Sequence, residues 1–374
     1  MRIPSHNLPH RGIALIIVMV VITFFSILVA AFSYRIKVET RLARNAAYNA
    51  EMDWLGRSGV ELAKYVIGLQ RTIPNEPYDS LNQKWAGGPG NSNSILANVR
   101  LNDIELGRGK FSVKITDCER KININLANEL ILNHVLAVIG VDPSETAGIA
   151  GSILDWIDPD DQTHLNGAEN DYYRSLDPPY RAKNGPLDDI NELLLVKGVT
   201  PELFWGPRYS GPPTITRRHS SRFGMEPEPI TYSVGLVDVF TPLSARFVNI
   251  NTASATVLQM CPGVDETIAQ AIIEQRAGPD GMDGTEDDTP FRNVMELTRI
   301  PGLFGPGAAP PPAGGQPGRP APPPANPLTS FFSTQSFTFE VEVDVRLDDQ
   351  QRTYYAILRR VDQRNVQTLN IWWK

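Results

Sequence analysis

The chain is predicted to be an α+β protein. One long N-terminal helix packs on a small antiparallel sheet, and a large, mainly α-helical domain is inserted between the strands. Three observations predict this. An uncharged apolar run from Ile13 to Ser33 passes without a break into a further helical pattern. Two segments with strand-like alternation lie far apart, one before residue 117 and one after residue 336. Between them a helical unit is written twice.

The apolar run matches one membrane crossing, because about 20 residues at ~1.5 Å each span the hydrocarbon of a bilayer. The leader before it, MRIPSHNLPHRG, is polar and basic, which favours the cytoplasmic side. A secretory signal would end in a small-residue cleavage site; here the natural processing site lies before the run, after Gly12. From Tyr34 the helix is expected to continue to about Leu69, with Leu42, Ala46, Ala50, Leu55, Leu62, Val66 and Leu69 on its apolar face. Pro74 and Pro77 stop it, and GGPGNSNS is a loop.

Residues 98–116 change period. Val99 and Leu101, then Phe111, Val113 and Ile115, alternate around a turn at Gly107-Arg108-Gly109 and predict a hairpin. Near the other end Phe337, Phe339, Val341, Val343 and Val345 share one parity, and LDDQQ turns the chain into Tyr354, Ala356 and Leu358. The two hairpins complete one sheet if the intervening stretch is an insert. That stretch contains a repeat: N-x-N-x-A, helix, Gly-Val, helix, loop, then P-[LF]-x-x-x-x-E-L-x-x-[VI]-x-G-[VL]. The first copy carries Asn125, Gly140-Val141 and residues 186–199; the second carries Asn251, Gly263-Val264 and residues 290–303. Asn125 and Asn251 are expected to cap helices. The expected domains are therefore 1–12 leader, 13–33 membrane helix, 34–71 amphipathic extension, 72–120 first part of the sheet, and 121–305 insert, with units 121–200 and 246–305. A Pro-rich linker, 306–328, then leads to the last part of the sheet, 329–374. The terminal NIWWK presents Trp372 and Trp373 for packing or for contact with a neighbour.

Two acidic loops interrupt the repeats. In the first, Asp155, Asp158, Asp160, Asp161, Glu169, Asn170 and Asp171 crowd oxygen ligands into a long irregular segment. Calcium accepts six to eight oxygens in flexible geometry and would hold such a loop. The second, GPDGMDGTEDDTPF, offers Asp280, Asp283, Asp287 and Asp288 among glycines, without EF-hand register. Neither suits zinc or a redox metal. Net charge −7 and pI near 5.4 argue against a general nucleic-acid binder. Catalysis finds little support: His6, His10, His134, His164 and His219 are scattered, no nucleophile sits beside His164, and no phosphate-binding Gly loop occurs. The two cysteines, Cys118 and Cys261, match no zinc spacing and read as buried free thiols.

Leader, Gly12, apolar helix and amphipathic extension together resemble the type IV pilins and pseudopilins. The resemblance implies that a prepilin peptidase cuts after Gly12 and that Ile13 becomes the methylated first residue. Most pilins carry glutamate as the fifth mature residue, where it neutralises a neighbour's amine. Here that position is Ile17, which disfavours joining beneath another subunit and suits the top of a filament. The missing glutamate, the split sheet, the helical insert and the acidic loop resemble the minor pseudopilin K family of type II secretion. That family implies calcium in the D-W-I-D-P-D to G-A-E-N-D-Y-Y loop. It commonly has Asp where Asn170 stands, which removes one ligand charge here. It further implies a single-pass protein of the bacterial inner membrane with its C-terminal domain in the periplasm. The implied partners are the other minor pseudopilins and the major pseudopilin, and the implied role is to prime assembly at the filament tip. The repeats resemble helix-hairpin-helix modules, the second close to those of DNA-uptake receptors. Yet their hairpins carry Asp142, Glu145, Asp265 and Glu266 and no cation, so no nucleic acid is expected. A type IV pilus minor pilin is the nearest alternative, and the helical insert disfavours it.

Overall fold

The computed structural model describes residues 11–211, 231–300, 302–303 and 331–374; the expected Pro-rich linker and most of the leader lie outside them. Helix α1 runs from Arg11 to Gln70. Among the described residues nine strands follow in chain order: β1 Ile104–Leu106, β2 Gly109–Asp117, β3 Ile122–Asn123, β4 Phe240–Thr241, β5 Val248–Asn249, β6 Phe332–Ser333, β7 Thr338–Leu347, β8 Gln350–Arg360 and β9 Val366–Trp373. Five of them form an antiparallel sheet in the order β1-β2-β7-β8-β9, with α1 across one face. Phe339, Val341, Val343 and Val345 point inward and are fully buried with Phe111, Val113, Ile115, Tyr354 and Leu358. Burying side chains of this kind is worth about 1.5–3 kcal/mol each.

The helix meets this sheet along the C-terminal half of the expected apolar face, where Leu55 and Val66 are buried and Leu62 and Leu69 pack against the core. Met52, Gly56, Gly59, Ala63 and Ile67 join this seam, and Leu42 stays 62% exposed. A Cβ on Gly56 would fall 2.6 Å from the Tyr354 ring, and one on Gly59 would overlap the Val343 side chain. The backbones approach closely because the contact residues are small, and small residues carry little hydropathy signal. Other departures are local. Asp103 (φ 49°) cuts the outer strand short, so Leu101 joins only through its carbonyl, which accepts from Val113 N–H at 2.6 Å. Phe337 lies outside β7 and is 41% exposed. β9, not anticipated as a strand, fills the edge, where Trp372 stacks on Tyr355 at 5.7 Å and Arg352 covers Trp373 at 4.2 Å.

The insert leaves the sheet at Asp117 and rejoins it at Thr338. Its helices are α2 Glu129–Ile139, α3 Pro143–Ile157, α4 Asn170–Arg174, α5 Pro201–Trp205, α6 Leu236–Val239, α7 Ala255–Gln259 and α8 Glu266–Ala277. α2 and α3 turn at Gly140 (φ 97°), α7 and α8 at Gly263 (φ 89°), both left-handed positions that favour glycine. The repeated asparagines do not cap helices; Asn128 and Ser254 do. Instead Asn125 exchanges two hydrogen bonds with the backbone of Leu187 (3.0 and 2.7 Å), and Asn251 does the same with Phe291 (2.9 and 2.9 Å). Each asparagine thus ties the start of its unit to the returning Pro-[LF] segment.

A buried polar knot joins insert and sheet. Arg360 grips both oxygens of Asp79 and donates to the Ser336 carbonyl. Asp117 accepts from Ser336 Oγ, Thr252 Oγ1 and Asn249 Nδ2 at 2.6, 2.5 and 3.3 Å. Glu119 accepts from the N–H groups of Ala245, Phe337 and Thr338. Cys118 and Cys261 are free and buried.

Candidate metal centre

The centre forms where α3 ends. Asp142 and Pro143 start this helix, and Pro159 stops it one residue after Asp158, whose N–H still bonds the Leu154 carbonyl. The helix dipole makes its C-terminus negative, so carboxylates there are unfavourable unless a cation offsets them. The returning loop nevertheless brings more. Carboxylate oxygens of Asp158, Asp160 and Glu169 lie within 4.8 Å of one another. Both Glu169 oxygens and Asp158 Oδ1 are buried without a hydrogen-bond partner. Burial and the surrounding carboxylates push Glu169 up to about 7, and the same causes raise Asp158. Orphaned, convergent, hard oxygens at a negative helix end are what a calcium-like cation would satisfy.

The other expected ligands of this loop are engaged. Asp155 is fully buried and braces the loop: Oδ1 accepts from His164 N–H and contacts His164 Nδ1 at 2.6 Å, and Oδ2 accepts from Ala168 N–H at 2.7 Å. Gly167 must be glycine, since a Cβ would collide with that carboxylate. Asp161 accepts from Asn170 and Asn184, and Asn170 accepts from Ala182 N–H. Asp171 is exposed on the rim of a cavity of about 290 Å³ beside Glu169. Sequence reasoning set His164 aside, yet it joins Asp155 and Asp158 as a second triad; its place in the acidic loop was the available signal. The Asp155 hydrogen bond raises its pKa. Beneath the loop Trp156, Tyr173 and Tyr180 pack edge to face or tilted, and Lys197 holds the carbonyls of Asn166 and Gly167.

The second loop is organised differently. Buried Arg276 binds Asp283 through two hydrogen bonds (2.8 and 2.6 Å) and donates to the carbonyls of Ile250 and Ala253. Asp280 accepts from Met282 N–H, Asp287 from Asp280 N–H and Thr285, and Asp288 from Gly284 and Thr285. Among the described residues, Asp280, Asp283, Asp287 and Asp288 do not converge on one point as the first loop's carboxylates do. Arg276 thus supplies a protein counter-ion to Asp283.

A membrane-length apolar helix continuing as the spine of an antiparallel sheet, with a helix-hairpin-helix insert at its far end, defines a pilin-like subunit of an elaborated class. Residues 101–205 match the family described as type II secretion system protein K, and residues 244–306 match the helix-hairpin-helix motif. Type II secretion system protein K of Klebsiella pneumoniae is 27% identical over 53% of this chain and 61% of its own length. The Pseudomonas aeruginosa protein of that name is 25% identical over 75% of this chain and 76% of its own. The chain thus spans about three fifths of the Klebsiella relative's length. In fold it is similar to a chain of the GspK-GspI-GspJ complex of enterotoxigenic Escherichia coli, with TM-score 0.59 and 18% identity over 89% of this chain and 99% of that one. The family model, the curated relatives and the fold together support the type II secretion system protein K family for this chain.

Proposed function

We propose that this chain is the minor pseudopilin at the tip of a type II secretion pseudopilus, where it starts assembly and supports export of folded proteins across the outer membrane. Position carries the reading. The insert is anchored beside Ile67, whose carbonyl accepts from Arg360, about 50 Å beyond Ser33 at ~1.5 Å per residue. A subunit stacked above would meet the insert, so the chain can end a filament but not continue one. Ile17 supports the same place, since it offers no carboxylate to a neighbour's amine. The prepilin peptidase would cut after Gly12, exposing Ile13 for methylation. Partners would be minor pseudopilins like those named in the related complex, and the major pseudopilin below.

In this reading Asp158, Asp160 and Glu169 hold calcium, with Asp155 and His164 positioning them. The bound ion would supply the positive charge that the end of α3 lacks. Acid caps support treating the hairpins as packing modules: Asp142 accepts from Ser144 N–H and Asp265 from Ile268 N–H, using donors a phosphate would need.

The test is intact-mass and N-terminal peptide analysis with and without a prepilin peptidase, followed by co-purification with the other minor pseudopilins. Cleavage after Gly12, a methylated Ile13 and a stable complex are expected. An uncut leader, or cleavage beyond Ser33, would overturn the reading.

A further inference from the structure

Above the apolar run, α1 carries Lys37, Arg41, Arg44 and Tyr48 at spacings of four, three and four, which place them on one face. Arg35, on another face, pairs with Glu39 at 3.2 Å. Lys37, Arg41 and Arg44 have no ion-pair partner among the described residues. Arg41 and Arg44 line one side of a cavity of about 330 Å³, with Tyr48, Asp348 and Asp349 at its other end. Asp348 is already engaged, accepting from the Tyr48 hydroxyl at 2.8 Å with Arg108 over that ring at 5.8 Å. The cavity is therefore polarised, its cationic end facing the membrane.

The heights fit a lipid surface. Lys37 stands about 6 Å, Arg41 about 12 Å and Arg44 about 17 Å beyond Ser33. Helical side chains lean toward the N-terminus, here toward the bilayer, and long basic side chains reach further. The headgroup layer is about 5–8 Å thick on each side, so Lys37 and Arg41 reach it and Arg44 stands just above it, within about a Debye length of its charge. Residues 34–44 hold Arg35, Lys37, Arg41 and Arg44, whereas the leader holds Arg2 and Arg11. This count runs against the usual cytoplasmic excess of flanking cations, so the orientation rests on the processing site after Gly12, and the stripe stands as positive charge near the bilayer surface.

We propose that Lys37, Arg41 and Arg44 form a binding site for anionic phospholipid headgroups in the periplasmic leaflet of the inner membrane. The site fixes the height and rotation of α1 before the subunit enters a filament. This rests on the orientation in the proposed function. Each cation near such a surface is worth about a fivefold change in binding, so the site as a whole is worth about a hundredfold and weakens with salt.

The test uses the full chain in nanodiscs of phosphatidylcholine with a minor share of phosphatidylglycerol, and native mass spectrometry to count the lipids retained. The parent is expected to retain phosphatidylglycerol over phosphatidylcholine, and K37Q/R41Q/R44Q to lose that preference about a hundredfold. R35Q should match the parent, and D349N should raise phosphatidylglycerol retention. Equal retention by parent and triple variant would overturn the site. So would unchanged lipid retention with lost co-purification of other minor pseudopilins, which would assign the stripe to an acidic neighbour. An impermeant thiol reagent reaching N45C only from the cytoplasm would overturn the orientation, and with it the leaflet, while leaving lipid selectivity itself to the first measurement.

Discussion

Replacing Glu169 by Gln should change stability with opposite sign in calcium and in chelator. In chelator three carboxylates converge, and both Glu169 oxygens lack partners. Its folded pKa of about 7 stands above its ordinary 4.5. The sign follows: the contribution is fully present below about pH 4.5 and lost as pH rises through about 7. Full conversion of that shift gives about 3 kcal/mol, and the solvent around this surface loop screens it to about 1–2 kcal/mol. Glu169→Gln removes the charge, so at pH 8 in chelator the variant should be more stable than the parent by that amount. In calcium the same substitution removes a charged ligand. In calcium that gain persists, and a hundredfold loss of affinity at saturating ion costs about 2.8 kcal/mol, which outweighs it by about 1–2 kcal/mol. At about 2–4 °C per kcal/mol, the melting temperature should rise by about 2–8 °C in chelator and fall by about 2–7 °C in calcium. Calorimetry of the full chain in detergent reads both arms. A shift of one sign in both conditions, or none in either, would refute the cation centre.

Three further outcomes follow from the fold. Arg360→Met leaves Asp79 buried without its guanidinium and should cost about 3–5 kcal/mol in chemical denaturation, while the double variant with Asp79→Asn should recover much of it; a single-variant cost below about 1 kcal/mol would contradict the knot. Burial and the Asp117 charge push Glu119 up to about 8 from 4.5, so stability should decline as pH rises from 6 to 9, and Glu119→Gln should flatten that decline. An unchanged slope would place the titration elsewhere. Gly59→Val forces the helix off Val343 and should cost about 1–3 kcal/mol, read as a lower melting temperature, whereas Leu42→Ala on the exposed side should leave it unchanged.

The parts of this fold legible in the sequence are those written by hydropathy. The Ile13–Ser33 run, the alternation of Phe339 to Val345 and the doubled helical unit each repeat a strong signal, and each becomes an element. The helix–sheet seam was legible only in part: Leu55 and Val66 follow the apolar face, while Gly56, Gly59 and Ala63 pack by being small. β9 was not legible either. It has one neighbour and is exposed along most of its length, so little periodic burial is imposed on it. The asparagines were visible as a repeat, but their role was not: a helix cap and an amide pair to a distant backbone place the same residue type in the same pattern.

For the candidate site the limit has a different origin. The sequence supplies oxygens without aiming them. Eleven residues were expected to bind metal; Asp158, Asp160 and Glu169 converge, and Asp155 joins Asp158 and His164 in a second group. Elsewhere the acceptors meet partners within the protein: Asp161 and Asn170 hold the loop closed, and Asp283 answers Arg276. The same economy operates at the junction, where Arg360 meets Asp79, and Asp117 and Glu119 accept from hydroxyls, an amide and backbone N–H groups. A buried carboxylate that has donors is structure, and one that lacks them is a vacancy for charge. Glu169 is of the second kind while Asp155, in the same loop, is of the first. That contrast selects Glu169 and Asp158, and convergence adds Asp160, whose Oδ1 accepts from Gln162 N–H, as the residues on which metal removal should act.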